Sequence, residues 1–342
     1  MTDRRIANFS STLVVALLAG CAADIETEGI LGEAAADGDP IWQPLGTGCA
    51  DTIGVAPNDV LWVTGCDGRP DNSVWYMRYE VECYEGICAD VPVWYDGKFS
   101  GKRITVFKDG NVFVVTSGGV VQGATWQNND GVAVPTGRWR RPIAAPDCVN
   151  QFAGYVADPG GLTFETPTRS SPDDGVWRYF STTCNADLNG NSKIRYLRGY
   201  HMQTPWLPAN GSGQLLATFF RPVGSSPEVT LLTSGANGTL WSYDESSVQF
   251  SSVASPPGLT YSLTDHFAAT DDGVFRYHDA TGGWTYYIDN VTPTGRIKQI
   301  ARAGAVRVVR ADGSEQTIGP SSLWSVDESG QIYYAVTFRQ PR

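Results

Sequence analysis

The chain is short of helix signals. Apolar residues rarely recur at three- and four-residue spacing, so little of it can form amphipathic helices. Histidine is scarce, with three copies (His201, His266 and His278), and no Cys-x-x-Cys occurs. That leaves little from which to build a zinc centre. There is no G-x-S-x-G elbow, H-E-x-x-H motif, phosphate loop or dinucleotide fingerprint. A serine triad would have to recruit one of the three histidines. Of these, His266 stands near Asp265, Asp271 and Asp272, which also read as an ordinary polar turn. No apolar run approaches the roughly 20 residues of a membrane-spanning helix. Basic charge is short too: 25 Lys and Arg face 36 Asp and Glu, a net charge of −11. Binding to nucleic acid needs a basic face, so that partner class is excluded.

What is present is β-structure. Short apolar stretches rich in Val, Ile, Thr and aromatics are bounded by Gly, Pro, Asn and Asp. Examples are Val60 to Val63, Ile104 to Phe107, Val112 to Val115, Thr230 to Leu232 and Ile332 to Val336. These are strand signals separated by turns. A pattern recurs in which Asn or Asp with Gly precedes an aliphatic and then an aromatic residue. Its copies end at Trp62, Phe113, Trp177, Trp241 and Phe275, with a weaker one at Tyr333. The turn supplies the positive φ of a tight hairpin, and the strand after it places its aromatic in a core. The aromatics lie 51, 64, 64, 34 and 58 residues apart, an irregular series whose mean is close to the length of a propeller blade. The expectation is an all-β propeller of about six, at most seven, four-stranded blades over residues 41–342.

The first residues carry an address. Arg4 and Arg5 precede an apolar run from Leu13 to Ala19, and Leu18-Ala19-Gly20-Cys21 follows. This resembles the lipobox of bacterial lipoproteins. The resemblance implies that residues 1–20 are a cleaved signal peptide, that Cys21 is acylated, and that envelope lipid is a partner. Ala22 after the cysteine implies outer-membrane delivery in a Gram-negative cell. Cleavage leaves 23 basic and 35 acidic residues, a net charge of −12. Residues 21–40 hold Asp24, Glu26, Glu28, Glu33, Asp37 and Asp39 and no basic residue, which reads as an acidic flexible tether.

The opening of the body reads Trp42-Gln43-Pro44-Leu45-Gly46, Ile53-Gly54-Val55-Ala56, Leu61-Trp62-Val63 and Val74-Trp75-Tyr76. This resembles a tectonin-type β-propeller repeat. Tectonin propellers are typically six-bladed and several are lectins, so the resemblance implies a binding module with a glycan or protein partner. A polysaccharide hydrolase or lyase, and a protein-interaction scaffold, stand as alternatives.

Six cysteines remain after Cys21. An even number in an exported chain reads as disulfides. Cys49 begins one strand and Cys66 ends the next, and Cys148 and Cys184 are placed likewise. Antiparallel neighbours bring such ends together. Cys83 and Cys88 flank a hairpin tip. The expected pairs are therefore Cys49–Cys66, Cys83–Cys88 and Cys148–Cys184. Arg138-Trp139-Arg140-Arg141 is the one dense basic-aromatic cluster, able to hold an acidic sugar by guanidinium forks and ring stacking. Its alternative is a strand with Trp139 inward and the arginines outward. Asp187, Asn189 and Asn191 resemble the start of a calcium loop. However, Ser192 replaces the turn glycine and Arg198 stands where a bidentate acid belongs, so an Asx-rich turn is favoured and no cofactor is expected. Ser171 to Trp177 resembles the Asp-box turn of sialidase propellers, one residue short.

Overall fold

The computed structural model describes residues 40–336, except 57–58, 85–86, 108–111, 130–131, 140–147, 158–161, 164–175, 199–206, 224–225, 245–246, 248, 279–280, 304–305, 310–314 and 319–320. The lipobox and the tether lie outside the described residues. The chain is a six-bladed β-propeller. Strand β1 (Ile41–Pro44) comes first. Blade 1 holds β2 (Thr52–Val55), β3 (Leu61–Thr64), β4 (Asn72–Tyr84) and β5 (Ile87–Gly101). Blade 2 holds β6 (Arg103–Val106), β7 (Val112–Val115), β8 (Val121–Asn129) and β9 (Val132–Trp139). In blade 3, β10 (Val149–Ala157) is followed by the short β11 (Leu162–Thr163), then β12 (Val176–Ala186), β13 (Ser192–Arg198) and β14 (Leu207–Gly213). Blade 4 is β15 (Leu215–Val223), β16 (Ser226–Ser234), β17 (Leu240–Asp244) and β18 (Gln249–Ser252). Blade 5 is β19 (Thr260–Thr264), β20 (Phe267–Thr270), β21 (Gly273–His278) and β22 (Gly283–Ile288). The last stretch supplies β23 (Val291–Thr292), β24 (Gly295–Ala301), β25 (Val306–Val309), β26 (Glu315–Ile318), β27 (Trp324–Asp327) and β28 (Ile332–Val336).

Blade 6 is closed by the N-terminal strand. Its order is β24, β27, β28 and then β1, which pairs antiparallel with β28 from Ile41 opposite Val336 to Pro44 opposite Tyr333. Joining the two ends of the chain in one sheet leaves no open seam in the ring. Trp42 pins this closure: it is buried, and its Nε1 donates to Asp289 O at 2.7 Å.

The first strand of each blade is innermost, and these six strands neighbour one another in turn around a channel. They splay too far for a continuous ladder, so side chains tie them. Thr52 Oγ1 accepts from Ile104 N at 3.2 Å, and Thr105 Oγ1 donates to Phe152 O at 2.9 Å. Thr264 Oγ1 accepts from Arg302 N at 2.9 Å. Gln299 clasps both backbone groups of Ile53, at 3.1 and 3.0 Å. The core lies between blades, because each sheet buries both faces. Leu61, Val63 and Met77 of blade 1 meet Trp324, Val326 and Ile332 of blade 6. Trp62, Val74 and Tyr76 meet Ile104, Val112 and Val114 of blade 2 on the other side. Two-sided burial explains why β2, β3, β7 and β20 read as continuous apolar or small residues rather than alternating ones.

The recurring sequence pattern falls at two different places in the blade. In chain order the copies at 58–59, 109–110 and 174–175, nearly all of whose turn residues lie outside the described residues, precede the second strands of blades 1, 2 and 3. Those at 237–238, 272–273 and 329–330 join second to third strands, at the opposite face of the ring. The irregular spacing records this change of phase. Four second-to-third turns share one geometry: the N–H groups of Gly119, Gly190, Gly238 and Gly330 donate to the carbonyls of Thr116, Asp187, Gly235 and Asp327 at 2.9–3.0 Å, with φ of 73 to 84°. Several of these turns seat on the start of the next blade. Val149 N donates to Gly119 O and Ala50 N to Gly330 O, at 3.0 and 2.9 Å.

Two features interrupt the six-fold plan. β11 leaves blade 3 and pairs in parallel with β25, which pairs with β26 of blade 6. Blades 3 and 6 face each other across a six-membered ring, so this small sheet reaches over one end of the channel. β4 and β5 form a long hairpin that runs to Tyr84 opposite Ile87.

Candidate functional site

Two concavities open at the face where the innermost strands begin. One is the channel, with a volume of about 660 Å³. The other is a groove of about 700 Å³ between blades 3 and 4. They are separated by the Gly190 turn, whose carbonyl accepts Gln214 Nε2 at 2.9 Å.

Blade 3 presents Asn189, Asn191, Asn210 and Ser212 to the groove, and blade 4 presents Asn237, Trp241 and Phe250. Local structure dictates this. In β17 the apolar Leu240 is fully buried, and Tyr243 packs into the core between blades 3 and 4. Trp241 shares Tyr243's side of the strand but lies a turn nearer the rim, and it is 37% exposed. Gly211 lets the backbone of β14 pass against the Phe250 ring, where an added Cβ would sit 2.4 Å from Cδ2. Asn210 adopts a positive φ of 48°, which asparagine tolerates, and it is exposed. Asn191 Oδ1 accepts from Ala236 N at 2.8 Å and Asn237 Oδ1 from Thr239 N at 3.1 Å. Both amides therefore keep their N–H₂ groups for the groove. Among the described residues no charged side chain lines it.

The channel mouth is charged. Lys102, Arg103, Lys298 and Asp51 line it beside Gln151 and Gln214. Asp51 pairs with Lys298. Arg103 is half-buried, and no hydrogen bond to its guanidinium is made by any described residue. Burial lowers its pKa below the ordinary guanidinium value, and the field of Asp51 pushes the other way. At the far end Asp265 lines the channel in the tight turn between β19 and β20. His266 Nδ1 lies 3.0 Å from Asp265 Oδ1, and its ring packs 5.5 Å from that of Phe219. The imidazole is held within the hairpin (φ of 59°) and does not line the channel. His278 bonds across its hairpin to Thr285 Oγ1 at 2.6 Å. His201 lies outside the described residues.

The residues singled out from sequence are distributed differently. The disulfides are Cys49–Cys66, Cys83–Cys88 and Cys148–Cys184, with Cα separations of 5.7, 4.0 and 5.4 Å. The first and third join the start of an innermost strand to the end of its neighbour. Arg138 and Trp139 end β9, the outermost strand of blade 2 and remote from the channel. Arg140, Arg141 and Cys21 lie outside the described residues. Asp187 Oδ1 accepts from Asn189 N and Asn191 N at 2.8 and 2.9 Å, so the calcium-like loop is an Asx turn. Among the described residues no group of three His, Cys, Asp or Glu gathers to hold a metal ion. Trp241 corrects the reading that every repeat aromatic enters a core. Trp62, Phe113, Phe275 and Tyr333 do, whereas Leu240 takes the core position beside Trp241. Nothing in sequence separates Arg103 from other strand-edge arginines, because its meaning depends on which strand is innermost.

No family model matches the chain, and no curated protein matches it. Among solved structures it is similar to AofleA from Arthrobotrys oligospora, at 11% identity and a TM-score of 0.47, covering 88% of this chain and 91% of that one. It is also similar to BBS1N in its complex with ARL6DN, at 10% identity and a TM-score of 0.43, covering 89% and 98%. The propeller assignment rests on this chain's own strand pairing.

Proposed function

We propose that this protein is a glycan-binding module of the bacterial cell envelope, anchored by lipid at Cys21, that takes a neutral sugar in the groove between blades 3 and 4. The observation that carries the reading is Trp241, a large ring left at the groove surface with its indole N–H unpartnered among the described residues, amid free amides and no charge. Sugar rings have apolar faces that stack on indole, and hydroxyls that pair with amides. A lining without charge favours a neutral saccharide over the acidic one that the Arg138 cluster would suggest. Among the described residues the carboxylates lining the channel are Asp51 and Asp265, which lie at opposite ends rather than as the close pair that glycoside hydrolysis uses.

A glycan array probed with the purified protein tests the reading. We expect binding to a neutral saccharide, little changed between low and physiological salt. Trp241→Ala should weaken it about tenfold or more, as loss of a central aromatic contact does. Absence of any glycan bound, or equal binding by the variant, would favour an interaction scaffold. For the anchor, labelled palmitate should enter the wild type and not Cys21→Ser.

A further inference from the structure

The channel mouth poses a separate question. An arginine held half-buried in a cavity is ordinarily paired, because its five N–H donors lose water without compensation. Among the described residues none makes a hydrogen bond or ion pair with the Arg103 guanidinium; it feels only the field of Asp51. Asp51, the one carboxylate lining this mouth among the described residues, is taken by Lys298. Lys102 stands exposed beside them, also with no partner among the described residues. Among the described residues three cations thus face one anion, in a chain whose net charge is −11. This local excess runs against the charge of the whole molecule.

The surroundings suit a small ligand. The cavity, about 660 Å³, lies in the size range of small-molecule sites. Gln151 and Gln214 add neutral polar groups to the lining of the same channel. The β11–β25–β26 sheet reaches over the far end, away from the cationic mouth. Thr52, Thr105 and Gln299 lock the strands that carry these groups, so the site is held before any ligand arrives. A planar guanidinium presents two parallel N–H groups, matching the two oxygens of a carboxylate, sulfate or phosphate.

We propose that the channel mouth is an oxyanion-binding site, in which Arg103 grips the carboxylate, sulfate or phosphate group of a small ligand and Lys298 and Lys102 supply the supporting charge. The site is independent of the groove reading.

Isothermal titration of the purified protein with glucuronate, sulfate and inorganic phosphate, with glucose as the uncharged control, tests it and separates the three sources. At least one anion should bind and glucose should not compete for this site. Binding should weaken with added sodium chloride, since the attraction is ionic. Arg103→Gln should weaken it at least tenfold with an unchanged circular dichroism spectrum. Asp51→Asn should tighten it severalfold, because it removes the competing carboxylate and frees Lys298; a purely structural role for Asp51 would not do this. Trp241→Ala should leave it unchanged. No binding by any of the three anions overturns the proposal, as does wild-type affinity in Arg103→Gln. Should Arg103→Gln fail to fold, Asp51→Asn decides: tighter binding supports the site, and equal or weaker binding overturns it.

Discussion

Asp327 and Asp59 show how the same side chain does opposite things in different surroundings. Asp327 is fully buried in the second-to-third turn of blade 6. Its Oδ1 accepts from Ser329 N, Ser329 Oγ and Gln331 N at 2.9, 2.7 and 3.0 Å. Its Oδ2 accepts from Thr292 Oγ1 at 2.9 Å and from Thr294 Oγ1. Burial pushes its pKa up, but the bonds from Thr294, Ser329, Thr292 and the Gln331 amide together hold it below the ordinary carboxylate value. Its contribution to stability is therefore present above that ordinary value and is lost as pH falls through the folded-state pKa. An amide nitrogen cannot accept the two threonine bonds, so Asp327→Asn should destabilise by about 2 kcal/mol at pH 7. In urea titrations the gap from wild type should narrow below pH 4. Among the described residues Asp59 accepts from Ser322 N at 2.9 Å and Trp324 Nε1 at 3.3 Å, and desolvation raises its pKa. The unfolded chain holds its charge more easily, so ionised Asp59 opposes folding at neutral pH. Asn accepts the same two bonds and tolerates the φ of 56°. Asp59→Asn should thus match or exceed the wild type in the same titrations at pH 7.

At the scale of elements, the second-to-third turns are the joints of the ring. Gly330 adopts a φ of 84°, and an added Cβ would lie 2.7 Å from the sulfurs of both Cys49 and Cys66. Gly330→Ala should therefore destabilise by about 2 kcal/mol or more, combining left-handed strain with a clash that the disulfide cannot relieve. Removing the disulfide in the Cys49→Ala, Cys66→Ala double variant should cost about 3 kcal/mol, since it closes a loop of 17 residues. Thermal melts of the two variants and their combination should be non-additive, because alanine at 330 clashes less once the sulfurs are gone. The long hairpin of blade 1 shows the limit of local stability. Val81, Tyr84 and Ile87 are 68–78% exposed near its tip, where Cys83–Cys88 supplies the cross-link that packing does not.

At the scale of the whole molecule, stability depends on closing the ring with four residues. β1 completes blade 6, and Trp42 packs with Phe267, Ile297 and Tyr333 of blades 5 and 6. Trp42→Ala should lower stability by about 3–5 kcal/mol, the range for truncating a buried aromatic. The loss should be cooperative: differential scanning calorimetry should show a single transition at lower temperature, since every blade lends half of two cores. A separate low-temperature transition confined to blade 6 would contradict that picture.

Local chemistry made much of this legible without a structure. Strand composition, turn residues and the Trp42 to Tyr76 unit fix an all-β propeller, because alternating turns and β-branched runs act over a few residues. The disulfide partners follow too, since neighbouring antiparallel strands bring Cys49 to Cys66 and Cys148 to Cys184 by sequence order alone. The two concavities were not legible. Trp241 and the buried Trp62 carry the same local pattern, and the difference is which strand of the blade each occupies and whether Leu240 has already filled the core. Arg103 is one strand-edge arginine among several until the ring places it on the same side of the channel mouth as Asp51 and Lys298, nearly 200 residues later for the lysine. Cavities are made between blades, by groups far apart in sequence, and only closure of the ring through β1 and β28 decides which side chains face them.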